Sequence, residues 1–185
     1  RAVGPTFEPG STFKAFTVAG ALEDGAVTPE TPFHLPVELH VADRVLHDSH
    51  ERGEETATVA EILAESSNIG AVRVALEIGA RRFDQWVHAF GFGRPTGVAL
   101  PGEEQGIVPT YEEYSGSSIA NLPIGHGLAV TPMQMAAAFA AIANGGILRT
   151  PTLIKAIGGR AQPTPRGRRV ISARTAAQVR AMLRG

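Results

Sequence analysis

The 185-residue sequence carries 17 basic and 18 acidic side chains, and its formal net charge of −1 argues against a nucleic-acid-binding surface. Charged residues make up 19% of the chain and hydrophobic residues 43%, which excludes wholesale disorder and predicts a folded domain. The sequence lacks an apolar run long enough to predict a membrane-spanning helix, and the absence of Cys excludes disulfide and thiol chemistry.

Six segments have the apolar spacing or the capping residues that are typical of helices. They are predicted at residues 11–23, 58–64, 69–78, 82–90, 131–143 and 173–183. Residues 29–52 are rich in Pro and His without a clear period, so we interpret them as a connector, and residues 91–118 as a loop. Residues 152–157 and 169–172 have a β-like composition and are predicted to pair as a small hairpin across the loop at 158–168.

Ser11 and Lys14 are the first candidates for chemistry, because residues three apart share one face of a helix. A Ser hydroxyl is a weak nucleophile until a neighbouring base takes its proton, and a neutral Lys amine is such a base. The alternative is a solvated surface pair. Lys14 lies in an apolar segment, and every basic residue other than Lys14 and Lys155 is an Arg, which cannot act as a base. This choice of residue favours the catalytic interpretation.

Ser66 and Asn68 are the second candidates, in the turn between the predicted helices at 58–64 and 69–78. Two residues apart in a turn, they are able to point into one cleft. There Ser66 would relay a proton, and Asn68 would bind a peptide group and orient a Lys. The alternative is a helix cap, a role that Ser and Asn often have. The Ser-x-x-Lys and Ser-x-Asn patterns each occur once, in that order, which favours the functional interpretation.

Six segments, which include both motifs, carry a wider resemblance. They are FEPGSTFK at 7–14, RVLHD at 44–48, VAEILAESSNIGA at 59–71, FGFGRPTG at 90–97, IGHGLAVTP at 124–132 and IANGG at 142–146. The sequence resembles, nearly from end to end, the class B penicillin-binding proteins, which are monofunctional peptidoglycan transpeptidases. It departs from that family at two points. The third family motif, Lys-Thr-Gly, is absent, since Lys155 is followed by Ala156, and His126 stands where such sequences often carry a Gln.

The resemblance implies an α+β domain with the penicillin-binding protein and serine β-lactamase-like transpeptidase fold. We interpret residues 1–185 as part of one such domain, mainly its helical lobe with a short hairpin near 152–172, ending before the Lys-Thr-Gly motif. The family's central sheet would then lie largely outside the sequence. We therefore expect the apolar face formed by Phe13, Phe16, Ala19 and Leu22 to lack its covering layer, and this piece alone to be inactive.

The resemblance also implies a mechanism. Ser11 would be acylated by a D-Ala-D-Ala stem peptide or by a β-lactam, with Lys14 as the base, Ser66 as a proton relay and Asn68 as a ligand of the donor peptide. Gly125, His126 and Gly127 are further candidates for substrate contacts, because two Gly remove side chains from a cleft wall; the alternative is a plain turn ahead of the cap at Thr131. No cofactor and no metal are expected. Histidine and carboxylate side chains do crowd residues 34–50, where a metal site is the alternative, but no tight ligand spacing appears and loops tolerate His freely.

The implied partners are peptidoglycan stem peptides, β-lactam antibiotics and a glycan-polymerising membrane protein, with no nucleic acid. The parent protein is expected on the outer side of the cytoplasmic membrane, anchored by a helix outside this sequence. Several alternatives stay open: a D,D-carboxypeptidase, a relative that hydrolyses or senses β-lactams, and an inactive scaffold of the cell-wall synthesis complex.

Overall fold

Helices make up most of the regular secondary structure in the computed structural model, which describes residues 2–50 and 53–184. Within these ranges there are seven α-helices: α1 (Lys14–Glu23), α2 (Val59–Ala64), α3 (Asn68–Ile78), α4 (Ala80–Ala89), α5 (Ser118–Asn121), α6 (Pro132–Ala143) and α7 (Ala173–Met182). All but the short α5 correspond to the six predicted helical segments, with small shifts at their ends. Those six predictions are therefore confirmed.

Short polar signals define where several helices begin. Thr58 and Glu61 form a capping box at α2, in which each side chain bonds the backbone N–H of the other residue. Thr131 and Gln134 form the same box at α6, and Pro132 occupies its first turn. These signals lie within four consecutive residues, which is why they are readable in the sequence.

Eight short strands in the described part of the chain form four two-stranded antiparallel ladders. The pairs are β1 (Pro32–Leu35) with β4 (Glu55–Thr58), β2 (Leu39–Val41) with β3 (Arg44–Leu46), β5 (Ile147–Arg149) with β8 (Gly167–Arg169), and β6 (Ala156–Ile157) with β7 (Arg160–Ala161). The interpretation of residues 29–52 as an irregular connector is wrong, because that segment contains β1, β2 and β3. Each has only three or four residues, too few for alternation to show.

The predicted pairing of residues 152–157 with residues 169–172 is also wrong. Gly158 and Gly159 have φ values of +54° and +77° and form a two-residue turn that joins β6 directly to β7. A turn of this kind needs positive φ at both central residues, which Gly adopts without strain. The β8 strand then returns to pair with β5 instead.

Helix α1 lies at the centre of the molecule, with every residue from Lys14 to Leu22 buried. It contacts α3, α4 and α7, and the ring of Phe16 packs against those of Phe90 and Phe139 at 5.1 and 4.8 Å. The expectation that its apolar face lacks a cover is therefore wrong, since helices of this chain supply the cover. None of the helices in the described ranges is both long and apolar enough to cross a lipid bilayer.

Candidate active site

Ser11 lies in a 3₁₀ turn, Gly10–Phe13, that leads directly into α1. The backbone N–H of Lys14 donates to the carbonyl oxygen of Ser11, so the turn and the helix are continuous. The Ser11 residue is exposed, whereas Lys14 is only 1% exposed. Since residues three apart share a face, an accessible hydroxyl is set one turn from a buried amine.

The Lys14 side chain meets residues that are distant in sequence. Its Nζ donates to the Ser66 carbonyl oxygen at 2.5 Å, to Ser66 Oγ at 3.1 Å and to Asn68 Oδ1 at 2.7 Å. A buried amine is costly unless such bonds replace its hydration. Two of the three partner atoms can only accept. A protonated amine is able to donate to all three atoms. A neutral amine would satisfy the two obligate acceptors with its two N–H bonds and would direct its lone pair to a hydroxyl, as a general base requires.

Ser66 reaches Lys14 from an unusual backbone conformation. Its φ is +59°, and its N–H donates to Leu63 O at 3.3 Å while the next N–H, of Ser67, donates to Ile62 O at 3.0 Å. This is the Schellman ending of a helix, in which the left-handed residue is usually Gly. A side chain there costs about 1–2 kcal/mol. The sequence thus keeps a hydroxyl where the backbone favours Gly.

Both ends of the Asn68 amide are held. Its Oδ1 accepts from Lys14, and its Nδ2 donates to the carbonyl oxygen of His47 at 3.0 Å. These two bonds define which way the amide points. Asn68 also begins α3, and its position therefore depends on how that helix start is anchored.

Asp48 anchors the start of α3. Its carboxylate accepts from Ser67 Oγ at 2.9 Å, from the N–H of Ile69 at 3.1 Å and from the N–H of Asn68. A carboxylate at a helix N-terminus satisfies unpaired N–H groups and interacts favourably with the helix dipole. Sequence reasoning placed Asp48 only in the resemblance and in a possible metal cluster, and missed this role. No local signal reveals it, because the bonds span about twenty residues.

Residues 125–127 lie against the Ser11 turn. The N–H of Gly10 donates to Gly125 O at 3.1 Å, and an added Cβ on Gly125 would stand 2.2 Å from Gly10 O. The φ of Gly125 is +79°, so both its conformation and this close approach require Gly. The structure therefore brings the predicted substrate-contact segment next to the residue that precedes Ser11.

Glu8, which sequence reasoning did not single out, holds this segment in place. Its Oε1 accepts from the N–H of Gly127 at 2.9 Å, and its Oε2 lies 3.2 Å from His126 Nδ1. The bond from Gly127, and next the bond from His126, hold the pKa of the Glu8 carboxyl below its usual value. His126 itself is exposed beside the Ser11 turn.

The histidines between residues 34 and 50 do not converge. His34 pairs with Glu54 at 2.9 Å and His40 with Glu38 at 3.0 Å, while Asp48 caps α3. Over residues 2–50 and 53–184, no three His, Cys, Asp or Glu side chains are arranged to hold a metal ion.

Comparison with known proteins identifies the family to which this chain belongs. The family model described as "Penicillin binding protein transpeptidase domain" matches residues 1–185. The chain is 39% identical over 188 residues to penicillin-binding protein PbpB of Mycobacterium tuberculosis, covering 99% of this chain and 28% of that protein. It is 32% identical over 155 residues to the peptidoglycan D,D-transpeptidase FtsI of Escherichia coli K12, covering 84% and 26%.

Solved structures agree with these relatives. The crystal structure of penicillin-binding protein 3 from Mycobacterium tuberculosis, complexed with aztreonam, superposes with a TM-score of 0.93 at 38% identity. That match covers 99% of this chain and 42% of the other. The chain thus spans little more than a quarter of the length of the curated relatives it matches.

Proposed function

Because the chain belongs to the penicillin-binding protein transpeptidase family, we propose that residues 1–185 form part of a serine D,D-transpeptidase that cross-links peptidoglycan. The proposed donor substrate is a stem peptide ending in D-Ala-D-Ala, and β-lactams are the proposed inhibitors. The observation that carries the proposal is the buried Lys14 amine, bonded to Ser66 and Asn68 one helical turn from the exposed Ser11.

In the proposed acylation step, the Oγ of Ser11 attacks the carbonyl carbon between the two D-Ala residues. The neutral Nζ of Lys14 takes the hydroxyl proton as the new C–O bond forms. Collapse of the tetrahedral intermediate breaks the C–N bond, and the departing D-Ala amine takes a proton that Ser66 relays from Lys14. Ser11 then carries the acyl group as an ester. Asn68 holds the donor peptide through its amide.

In the second step, the amine of another stem peptide attacks the ester carbonyl. Its proton passes to Lys14, a new peptide bond forms as the ester C–O bond breaks, and Lys14 returns the proton to the Oγ of Ser11. With β-lactams, the ring amide replaces the D-Ala-D-Ala bond and its nitrogen stays attached, so Ser11 remains blocked. The Lys-Thr-Gly element that the family uses in this cleft has no counterpart in residues 1–185.

The proposal extends to the protein's surroundings. We place the site on the outer side of the cytoplasmic membrane, where peptidoglycan is assembled, and we place a glycan-polymerising membrane protein beside it, since cross-linking acts on newly made strands. The family membership supports the peptidoglycan substrate. The position and the partner are inferences from that chemistry.

The experiment is labelling with a fluorescent penicillin in the full-length protein that carries this chain. We expect one labelled peptide containing Ser11, no labelling of Ser11→Ala, and normal labelling of Ser49→Ala, an exposed serine used as the control. Incubation with a D-Ala-D-Ala peptide and an amine acceptor should yield the joined peptide. Release of the free acid alone would identify a D,D-carboxypeptidase instead, and label retained in Ser11→Ala would refute the assignment.

A further inference from the structure

The net charge of −1 conceals a separation of charge along the sequence. All 18 acidic residues lie between residues 1 and 113, whereas residues 114–185 contain nine basic residues and no acidic one. A segment of this length without a carboxylate cannot neutralise its own arginines. Within the described residues, carboxylates of the preceding part form no ion pair with these basic side chains either, so the C-terminal part of the fold presents positive charge that is available to an outside partner.

One cavity concentrates this charge. It has a volume of about 290 Å³ and lies between the end of α4, helix α6 and the strands β5 and β8. Its lining combines four arginines with an apolar wall. The arginines are Arg94, Arg149, Arg166 and Arg168, and the wall is formed by Phe90 and Leu148. We call this cavity the arginine cleft.

The guanidinium groups of the arginine cleft are only partly used by the protein. Arg94 donates to His88 O at 3.0 Å, Arg168 to Ala89 O at 2.5 Å and Arg149 to Pro165 O at 2.6 Å. A guanidinium has five N–H donors, so a single carbonyl contact leaves most of them for a ligand. Within the described residues, the ion pairs formed by carboxylates involve none of the four arginines.

Two of the arginines, Arg94 and Arg168, also lie near each other. Burial, followed by the charge of Arg94, lowers the pKa of Arg168, which shows that two like charges share this site. The contacts to His88 and Ala89 account for Arg94 and Arg168 as caps of the α4 C-terminus. They do not account for Arg149 and Arg166, which line the same cavity from other segments.

We propose that the arginine cleft binds an acidic peptide segment of a partner protein, with one apolar side chain against Phe90 and Leu148 and flanking carboxylates on the arginines. Arginine forks match carboxylates with paired N–H···O bonds. A small cavity with an apolar wall fits an amphipathic peptide better than a uniformly charged phosphate polymer, which would leave that wall without a partner. The cleft is distinct from the residues around Ser11.

The test uses fluorescence anisotropy on the full-length protein with a labelled synthetic peptide in which Glu and Leu alternate. We expect the peptide to bind, its Gln-for-Glu counterpart not to bind, and added salt to weaken the complex. Arg166→Glu and Arg149→Glu should each weaken binding about tenfold or more, because each turns an attractive contact into a repulsive one. The control is Arg160→Glu, an exposed residue outside the cleft that makes the same change in net charge.

Several results would overturn the proposal. Equal weakening by Arg160→Glu would show that only overall charge matters, and equal binding of the Gln peptide would show that carboxylates are not recognised. Preference for a phosphate polymer over the peptide, or self-association of the wild type that Arg166→Glu abolishes, would assign the cleft to another occupant. Penicillin labelling of every variant at the wild-type rate verifies that the fold and the Ser11 site are intact.

Discussion

The left-handed backbone conformation of Ser66 leads to a prediction in which substitutions change the free energy of unfolding and the rate of acylation differently. At a φ of +59°, a residue with a Cβ destabilises the folded state by about 1–2 kcal/mol. Gly avoids this strain, but its greater conformational freedom in the unfolded chain costs about 0.5–1 kcal/mol of stability. Ser66→Ala and Ser66→Gly both lose the Oγ that lies 3.1 Å from Lys14 Nζ, but only the Gly variant relieves the strain. We therefore expect Ser66→Gly to be about 0.5–1 kcal/mol more stable than Ser66→Ala.

Acylation should not follow that stability difference. Both variants lack the proposed proton relay, so we expect both to react with fluorescent penicillin at least about a hundredfold more slowly than the wild type. The matched control is Ala42→Gly, at an exposed turn residue with φ of +52°, which should gain similar stability and react normally. Urea unfolding and the rate of labelling are the two measurements. Wild-type acylation by Ser66→Gly, or equal stability of the Ala and Gly variants, would refute the reasoning.

Three further predictions concern neighbouring groups. Lys14→Arg keeps the positive charge but cannot lose its proton, so penicillin acylation should fall by at least about a hundredfold. Asp48→Asn removes the charge that caps α3 and should lower the free energy of unfolding by about 1–2 kcal/mol and slow acylation, measured by urea unfolding and labelling. The pKa of Glu8 is lowered in the folded state, so its contribution to stability is complete above the ordinary value of 4.5 and is lost as pH falls through the lowered pKa. Unfolding curves across that range should show this loss, and Glu8→Gln should remove it.

Each of these predictions has its own control or contrary result. Near-normal acylation by Lys14→Arg would mean that Lys14 supplies charge and not basicity. Asp43→Asn changes the same functional group at an exposed turn between β2 and β3, and it should leave stability and labelling unchanged. If Asp48→Asn behaves like Asp43→Asn, the cap is not needed to position Asn68. An unaltered acid profile in Glu8→Gln would assign the pH dependence to other carboxyl groups.

The sequence was most informative where structure depends on adjacent residues. The capping boxes at Thr58 and Thr131 are local, and both helix starts were predicted from them. The Gly158-Gly159 turn is equally local, because a Gly pair is by itself a signal for the two-residue turn of the β6–β7 hairpin. The β1–β4 ladder is different, because it pairs Pro32 with Thr58 across the intervening hairpin.

In the candidate site too, some contacts join residues that are close in sequence and others join residues that are distant. Ser11 and Lys14 belong to one turn of helix, so their spacing was enough to identify them as candidates. That Lys14 meets Ser66 and Asn68, 52 and 54 positions away, depends on the packing of α1 against α3. The cap from Asp48 and the clamp from Glu8 depend on chain reversals with no signal of their own in the sequence.

The clamp between Glu8 and Gly127 joins residues 119 positions apart. Closing a loop of that length costs about 4 kcal/mol of chain entropy, which must be offset by contacts that form at or before closure. We therefore expect residues 125–127 to dock beside Ser11 late in folding, after the local helices have formed. A ribosome-bound chain that has not yet exposed residue 127 would carry Ser11 and Lys14 without this segment beside them. Reactivity toward a β-lactam would then appear only after residues 125–127 have docked beside Ser11, as a marker of that folding step.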